Sequence, residues 1–570
     1  MNEPENVIAA QPLFSVLDWV VVVLYFTLMI GIGWWTARGQ AGKRDYFLGG
    51  RNLPWWAVGF SIIATETSAL TFIGIPAAAI GGIAVSKLEG TAPGVYQFIL
   101  QGGNMFFMML VVGYITGRLV VIKWIIPKYF TGEIYTTYEL INQAFGERSR
   151  FAVAGLSVVQ ILLSAGVRVF VTAIPITLLL STMGLKSGGI LLSIIVIMVA
   201  ALLYTSFGGL KAVVYTDMAQ FIIFIVAGLA TVLTIPFLIG QTEGGFLNGV
   251  KIIHDHARNG GPWQIWNIGL SSVEGAGILD HLKSILTAPE NLITGLIAAP
   301  FGIILAFGFD QMNVQRILGC ANAREGQKAM LLSAVLIGPQ FFLFLYIGMQ
   351  LFGFYAWNGF DFKGLVPVDP AYFAGEMHEP PAANNSYIYP IFIFTEMPHI
   401  LKGLLLAAIF SAAMSSVSSA LSALGSMALT DFYQPLVKDK NTSPKHELLI
   451  SRISVLLAGI ILTLVAFLCS AANKDLISLA FTLGSIPGGP MLGAFIFAFY
   501  KRKGHFAPVI IGITVSFLFM IQMNLDLIPN ETIWPIFWPW HAMIGAVVCF
   551  AVSYSADVII RAYFHKNGSN

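Results

Sequence analysis

Ser411-Ala-Ala-Met-Ser415-Ser416-Val-Ser418-Ser419-Ala-Leu-Ser422 follows directly on Gly403-Leu-Leu-Leu-Ala-Ala-Ile-Phe410, so a block of hydroxyls lies at the depth of a membrane span. Lipid offers a hydroxyl no partner, and leaving one unsatisfied there costs free energy. Ser411, Ser415, Ser418 and Ser422 recur at helical spacing and form one polar stripe. Neutral oxygens aligned inside a membrane are what a desolvated alkali cation needs. The same stripe of small residues also suits close helix–helix packing.

The surroundings make this a polytopic membrane protein. Hydrophobic residues are 56% of the 570, charged residues only 11%, and mean hydropathy is +0.78, whereas soluble domains carry roughly 25% charged residues. The net charge of +2 is spread over many loops and gives no face for nucleic acid. Cys320, Cys469 and Cys549 are scattered and imply neither a disulfide framework nor a metal cluster. The polar Met1-Asn-Glu-Pro-Glu start lacks the basic region of a cleavable signal peptide. Apolar runs near 20 residues predict thirteen spans, at 14–36, 54–81, 94–122, 151–183, 188–206, 213–239, 292–315, 327–356, 399–430, 449–472, 475–500, 507–524 and 535–561. Alternate loops then hold 22 of the 31 Lys and Arg residues, Arg118 and Arg316 among them, against eight on the other side. That bias predicts an outer N-terminus and an inner C-terminus. The outer loops 240–291 and 357–398 read as parts of one transmembrane domain. In the first, Phe246-Leu-Asn-Gly-Val-Lys-Ile-Ile-His254 and Ile278-Leu-Asp-His-Leu-Lys-Ser-Ile-Leu286 predict short amphipathic surface helices. His254 and His256 stand without the further ligands a metal would need.

The second span reads Leu53-Pro-Trp-Trp-Ala-Val-Gly-Phe-Ser-Ile-Ile-Ala64-Thr65-Glu66-Thr67-Ser68-Ala-Leu-Thr71-Phe-Ile-Gly74-Ile-Pro76. A polar cluster followed by Gly74 and Pro76 predicts a broken helix, whose freed carbonyls are tolerated at depth where they line a cavity or bind an ion. Glu66 is an ionisable group at mid-membrane, where a functional role is the default. A structural ion pair with Arg168, mid-span in Ser164-Ala-Gly-Val-Arg-Val-Phe-Val-Thr172, is the competing expectation. Asp217, after Tyr215-Thr216, would sit near the inner mouth or cap a helix at the interface. These residues predict a carrier or channel with a polar midplane site built from at least two helices.

At these residues the chain resembles the sodium/solute symporter family over almost its whole length. Asp45-Tyr-Phe-Leu-Gly-Gly-Arg-Asn-Leu-Pro-Trp-Trp-Ala-Val-Gly59 is similar to the family's first loop and its lead into the broken helix. Tyr204-Thr-Ser-Phe-Gly-Gly-Leu-Lys-Ala-Val-Val-Tyr-Thr-Asp217-Met-Ala-Gln220 resembles its tight turn and following helix, and Phe309-Asp-Gln-Met-Asn-Val-Gln-Arg316 its loop signature. The resemblance implies the all-α inverted-repeat fold first seen in bacterial leucine transporters, two five-helix units related by a pseudo-two-fold axis. Here these would be 54–239 and 292–500, with an extra helix at 14–36 and two more over 507–561.

Carried over residue by residue, the family's common sodium site falls on the carbonyls of Ala64, Thr67 and Ala412 and the hydroxyls of Ser415 and Ser416. A second sodium site, found in branches that include sialic acid symporters, falls on Asp217, Ser415, Ser418 and Ser419. The galactose-type pocket is not matched, since Leu70, Thr71, Ile303 and Ala306 replace its polar groups. Ser68, Thr71 and Arg168 resemble the sialic-acid-type pocket, in which the arginine takes the carboxylate; Glu66 is an acidic departure. Gln97 and Gln101 on the third span are further candidate substrate contacts. The resemblance thus implies a sodium-coupled symporter importing a small polar, carboxylate-bearing solute such as a sialic acid or a monocarboxylate. Sodium is the coupling ion and no other cofactor is implied. Sugar, polyol and amino acid symport remain alternatives, and an ion channel is the alternative of another class. No Ser/His/Asp set, zinc motif or phosphate loop stands in a span, so enzymatic chemistry is not expected.

Overall fold

A chain that crosses lipid must satisfy its backbone hydrogen bonds internally, and this one does so with helices. The computed structural model describes residues 14–37, 43–87, 96–100, 102–131, 134–182, 189–260, 262–271, 273, 275–288, 290–359, 385–437, 444–470, 476–501, 503–525 and 536–567. Eleven helices among them are long and apolar enough to span a membrane, and the pair Trp55–Glu66 and Leu70–Ile80, bent by 60°, makes a twelfth. The expected fifth span, 188–206, is the shorter apolar helix Gly189–Leu203. The serine-rich helix runs on from Leu401 to Leu436, and 94% of its most apolar stretch is buried, against 28% for both Val16–Thr36 and Pro539–Tyr563. It is therefore the central pillar, with the terminal helices on the periphery.

Two places depart from the expected spans. The third was placed at 94–122, but Ile83–Lys87 and Tyr96–Leu100 pair as an antiparallel hairpin and the span itself is Phe107–Tyr129. Tyr-Gln-Phe-Ile-Leu is rich in strand formers, and the chain turns sharply at its base. A Cβ on Gly81, which has φ +82°, would stand 2.3 Å from the Gly103 nitrogen. Arg118, expected in a loop, consequently lies within a span and is fully buried. Arg316, expected in the next basic loop, is buried too, on the helix Gln311–Leu318. The amphipathic helices expected within 240–291 are present as Phe246–Gly260 and Ile278–Thr287. Most of 357–398 lies outside the described residues.

The N-terminal helix is fastened to the central one. The Asp18 carboxylate accepts from the amides of Ile400 (2.7 Å) and Gly403 (3.3 Å), two of the donors that a helix start leaves without intrahelical partners. The long helix Gly189–Gly240 kinks at Gly209, φ +55°, where a Cβ would come within 2.7 Å of the Tyr46 carbonyl oxygen. Gly209→Ala should therefore destabilise the protein by about 1–3 kcal/mol, read as a lowered melting temperature in detergent. An unchanged melting temperature would show that the kink tolerates a side chain.

Candidate functional site

The break in the second span frees backbone oxygens. After Glu66 the chain leaves helical geometry at Thr67 (ψ 82°) and resumes as a wide turn over Leu70–Gly74. The Ser68 amide, which in a continuous helix would bond the Ala64 carbonyl, instead bonds the Glu66 carbonyl at 2.9 Å. Opposite this break the Ser416 hydroxyl donates to the Thr65 carbonyl (3.4 Å). Four of the five residues expected at the common sodium site, Ala64, Thr67, Ala412 and Ser415, line one narrow cavity, too tight for a free water, together with Gln220 and Ser411. The Ser415 hydroxyl and the Gln220 amide oxygen are buried there without a hydrogen-bond partner. Neutral carbonyl and hydroxyl oxygens around a small space can replace the hydration shell of a hard monovalent cation. Gln220, on the helix Gly209–Gly240, was not anticipated from the sequence. Its amide nitrogen donates to the Tyr25 hydroxyl of the N-terminal helix (3.3 Å).

One helical turn further along, the four residues of the expected second site are brought together, with a cation of the chain's own among them. Arg316 donates to the Asp217 carboxylate (Nη2 to Oδ2, 2.8 Å), to Ser61 (2.7 Å) and to the Ser419 hydroxyl. Ser61 in turn donates to Asp217 Oδ2 at 2.6 Å. Ser418 and Ser419 both donate to the Ser415 carbonyl. Asp217 and Arg316 are buried almost completely, and a carboxylate held that deep needs a counter-charge. Asp217 Oδ1, however, has no hydrogen-bond partner. The cluster thus sets an Asp217 oxygen that Arg316 does not hold within hydrogen-bonding reach of the Ser415 hydroxyl, a pair of oxygens open to a second cation.

The main cavity, of about 190 Å³, lies on the other side of the break. Glu66, Ser68 and Thr71 line it from the broken span and Arg168 from the helix Glu147–Thr182, with Tyr114, Phe341 and Trp538 among its apolar walls. The expected partner of Glu66 was Arg168; the structure pairs Glu66 with Arg118. Arg118 also donates to the Tyr114 carbonyl (3.0 Å) and to Ser333 (3.3 Å), and its guanidinium stacks 4.3 Å over the Phe307 ring. Arg118 escaped the sequence reading because a basic residue near a span end was taken as loop. The signal against that was its position inside the apolar run 107–126. Among the described residues the Arg168 guanidinium makes no hydrogen bond or ion pair; Asp310 and Glu66 are acids near enough to influence it. Gln97 lies on the hairpin strand, opposite Ser86, rather than on a transmembrane helix, and Gln101 is outside the described residues. His254 and His256 face different partners, the Tyr346 hydroxyl and the Ile252 carbonyl. No cluster of metal-ligating side chains occurs among the described residues.

The chain matches the model of the sodium:solute symporter family over residues 46–512. It is similar to the sodium/sialic acid symporter SiaT of Proteus mirabilis, 27% identical over 89% of this chain and 89% of that protein. It is also similar to the human sodium-coupled monocarboxylate transporter 2, 26% identical over 92% of this chain and 75% of that protein, and to the sodium/glucose cotransporter of Vibrio parahaemolyticus, 26% identical over 90% and 85%. The solved outward-open, substrate-bound state of a sodium-coupled sialic acid symporter superposes with a TM-score of 0.73 at 23% identity, covering 96% of this chain and 98% of that one. That likeness shows the fold, the helical inverted-repeat architecture of the leucine-transporter type.

The Glu66–Arg118 pair yields a direct test. Arg118→Gln leaves a buried carboxylate without its counter-charge, which should cost about 3–5 kcal/mol. Glu66→Gln/Arg118→Gln should regain most of it in a thermal-shift double-mutant cycle in detergent. Independent, additive losses would show that the two charges are not coupled.

Proposed function

The chain belongs to the sodium:solute symporter family, and from that membership we propose that it imports a small carboxylate-bearing solute across the plasma membrane, driven by sodium. The observation that carries the carboxylate is the Arg168 guanidinium, which lines the main cavity with no protein partner while Arg118 neutralises Glu66. A desolvated guanidinium favours a planar anion that it can bind through two parallel hydrogen bonds. Two of the three curated relatives named above are a sialic acid symporter and a monocarboxylate transporter, and both solute classes carry such a group. Leu70, Ile303 and Ala306 present apolar walls to the same cavity, which argues against a hexose as the solute.

Sodium coupling then follows from geometry that spans two helices. A sodium ion held by the carbonyls of Ala64, Thr67 and Ala412 and the hydroxyls of Ser415 and Ser416 ties the broken span to the central helix and fixes the break that shapes the solute cavity. Solute occupancy permits closure, and opening to the inside separates the two helices and releases the ion. A second sodium at Asp217, Ser415, Ser418 and Ser419 would take the Asp217 oxygen that Arg316 does not hold. Each sodium contributes about 2.3 kcal/mol per 100 mV of membrane potential, roughly a fifty-fold accumulation. No covalent chemistry is involved.

Two outcomes are expected in proteoliposomes. Ser415 serves both cages, so Ser415→Ala should raise the sodium concentration for half-maximal uptake about tenfold, and wild-type uptake should be sigmoidal in sodium. A hyperbolic dependence with a reversal potential of one sodium per solute would confine sodium to the first cage. Arg168→Gln should abolish uptake of N-acetylneuraminate or butyrate, whichever the wild type carries, while sodium still raises the melting temperature. Retained affinity for the anion would remove Arg168 from the solute site.

A further inference from the structure

Gln160, Ser164 and Arg168 follow one another at four-residue intervals along Glu147–Thr182 and line the main cavity as one row. Eight residues separate the ends of the row, about 12 Å along the helix axis. Beside Gln160 stand Asp310 and Asn313, at the start of the helix Gln311–Leu318, both lining the same cavity. The amide nitrogens of this group already have acceptors. Gln160 Nε2 donates to Asp310 Oδ2 (3.4 Å) and Asn313 Nδ2 to the Ala306 carbonyl (2.9 Å), and Asp310 Oδ1 accepts from the Met312 amide (2.9 Å). These partners fix which way each amide points, since a reversed amide would set oxygen against oxygen. Each amide nitrogen keeps one further N–H, but it is the two amide oxygens that have no partner at all. Gln160 Oε1 and Asn313 Oδ1 have no hydrogen-bond partner, and the exposures of Gln160, Asn313 and Asp310 are only 7%, 7% and 6%.

Buried carbonyl oxygens without donors are unfavourable, and the two residues that carry them line the main cavity. We propose that Gln160, Asp310 and Asn313 form a donor-reading subsite, and that the solute bears hydroxyl or N–H groups on the end remote from its carboxylate. This rests on the assignment of the carboxylate to Arg168. Between the poles the walls are apolar: Phe107 packs on Phe341 at 4.9 Å between ring centroids, and Phe481 stacks on Trp538 at 4.0 Å. The arrangement suits a carbon skeleton with a hydrophobic face, an acid at one end and donors at the other, as in hydroxylated sugar acids. A short alkyl monocarboxylate would leave both oxygens unpaired, and sites that hydrogen-bond a solute group discriminate strongly against analogues lacking it.

The test is sodium-dependent current from the purified full chain in proteoliposomes on a solid support. The probes are N-acetylneuraminate, glucuronate and gluconate, the plain acids propionate and butyrate, and neutral glucose and inositol. At least one hydroxylated acid should act at a concentration tenfold or more below butyrate, with the neutral polyols silent. Equal potency of butyrate overturns the subsite and leaves the carboxylate assignment standing. Response to neutral polyols alone overturns the carboxylate assignment and the subsite with it, and silence from every hydroxylated acid overturns the subsite. Gln160→Met, which keeps side-chain length and removes the acceptor, should raise the half-maximal concentration of the responding hydroxylated acid about tenfold and leave that of butyrate unchanged. A merely structural role would weaken both acids equally, and that result would also overturn the subsite.

Discussion

Charge held inside a low-dielectric bundle has to be balanced within reach, and the balance is struck between helices rather than along them. Glu66 meets Arg118, Asp217 meets Arg316, and Asp431 meets Arg150. Each pair joins segments far apart in sequence, and each guanidinium has donors to spare for further neighbours. Arg118 thereby gathers the broken span, its own helix, Phe307 and Ser333 into one unit. Arg316 does the same for Ser61, Asp217 and Ser419. Buried pairs of this kind contribute little net stability, because desolvation offsets most of the attraction. Their effect is on arrangement: removing one partner is far more damaging than never having had either.

That arithmetic also decides what remains available for transport. Because Arg118 takes Glu66, Arg168 keeps its donors; because Arg316 and Ser61 use only one oxygen of Asp217, the other is left over. The leftover groups are sorted by kind. Free acceptors cluster between the broken span and the central helix and again beside Gln160, while the one free guanidinium among the described residues of the main cavity faces the solute space. An ion site and an anion site can coexist in one midplane because Arg118 has taken the acid of the broken span and Arg316 one oxygen of Asp217.

Much of this was legible in the sequence. Apolar runs of about 20 residues located the spans, and the polar cluster before Gly74 and Pro76 located the break, since both patterns are local. The serine pattern placed Ala64, Thr67, Ala412 and Ser415 around one cavity through family resemblance. Pairings were not legible, since Glu66 and Arg118 lie 52 residues apart and Asp217 and Arg316 lie 99 apart, with no local pattern linking them. Both arginines were misplaced by the same rule, which treats a basic residue near a span end as loop. It fails where the charge turns inward to an acid. The hairpin over 83–100 was missed because its second strand is apolar enough to read as the start of a helix.

Asp18 adds a consequence in time. Its carboxylate enters with the first helix, yet its partners at Ile400 and Gly403 are made 382 and 385 residues later. At about 5–20 residues per second, synthesis keeps the first helix waiting tens of seconds for its anchor. During that interval a carboxylate near one end of the span lacks the amides that hold it in the finished protein. The helix Val16–Ala37 is thus made long before it is seated, and its docking reports that the central helix has arrived.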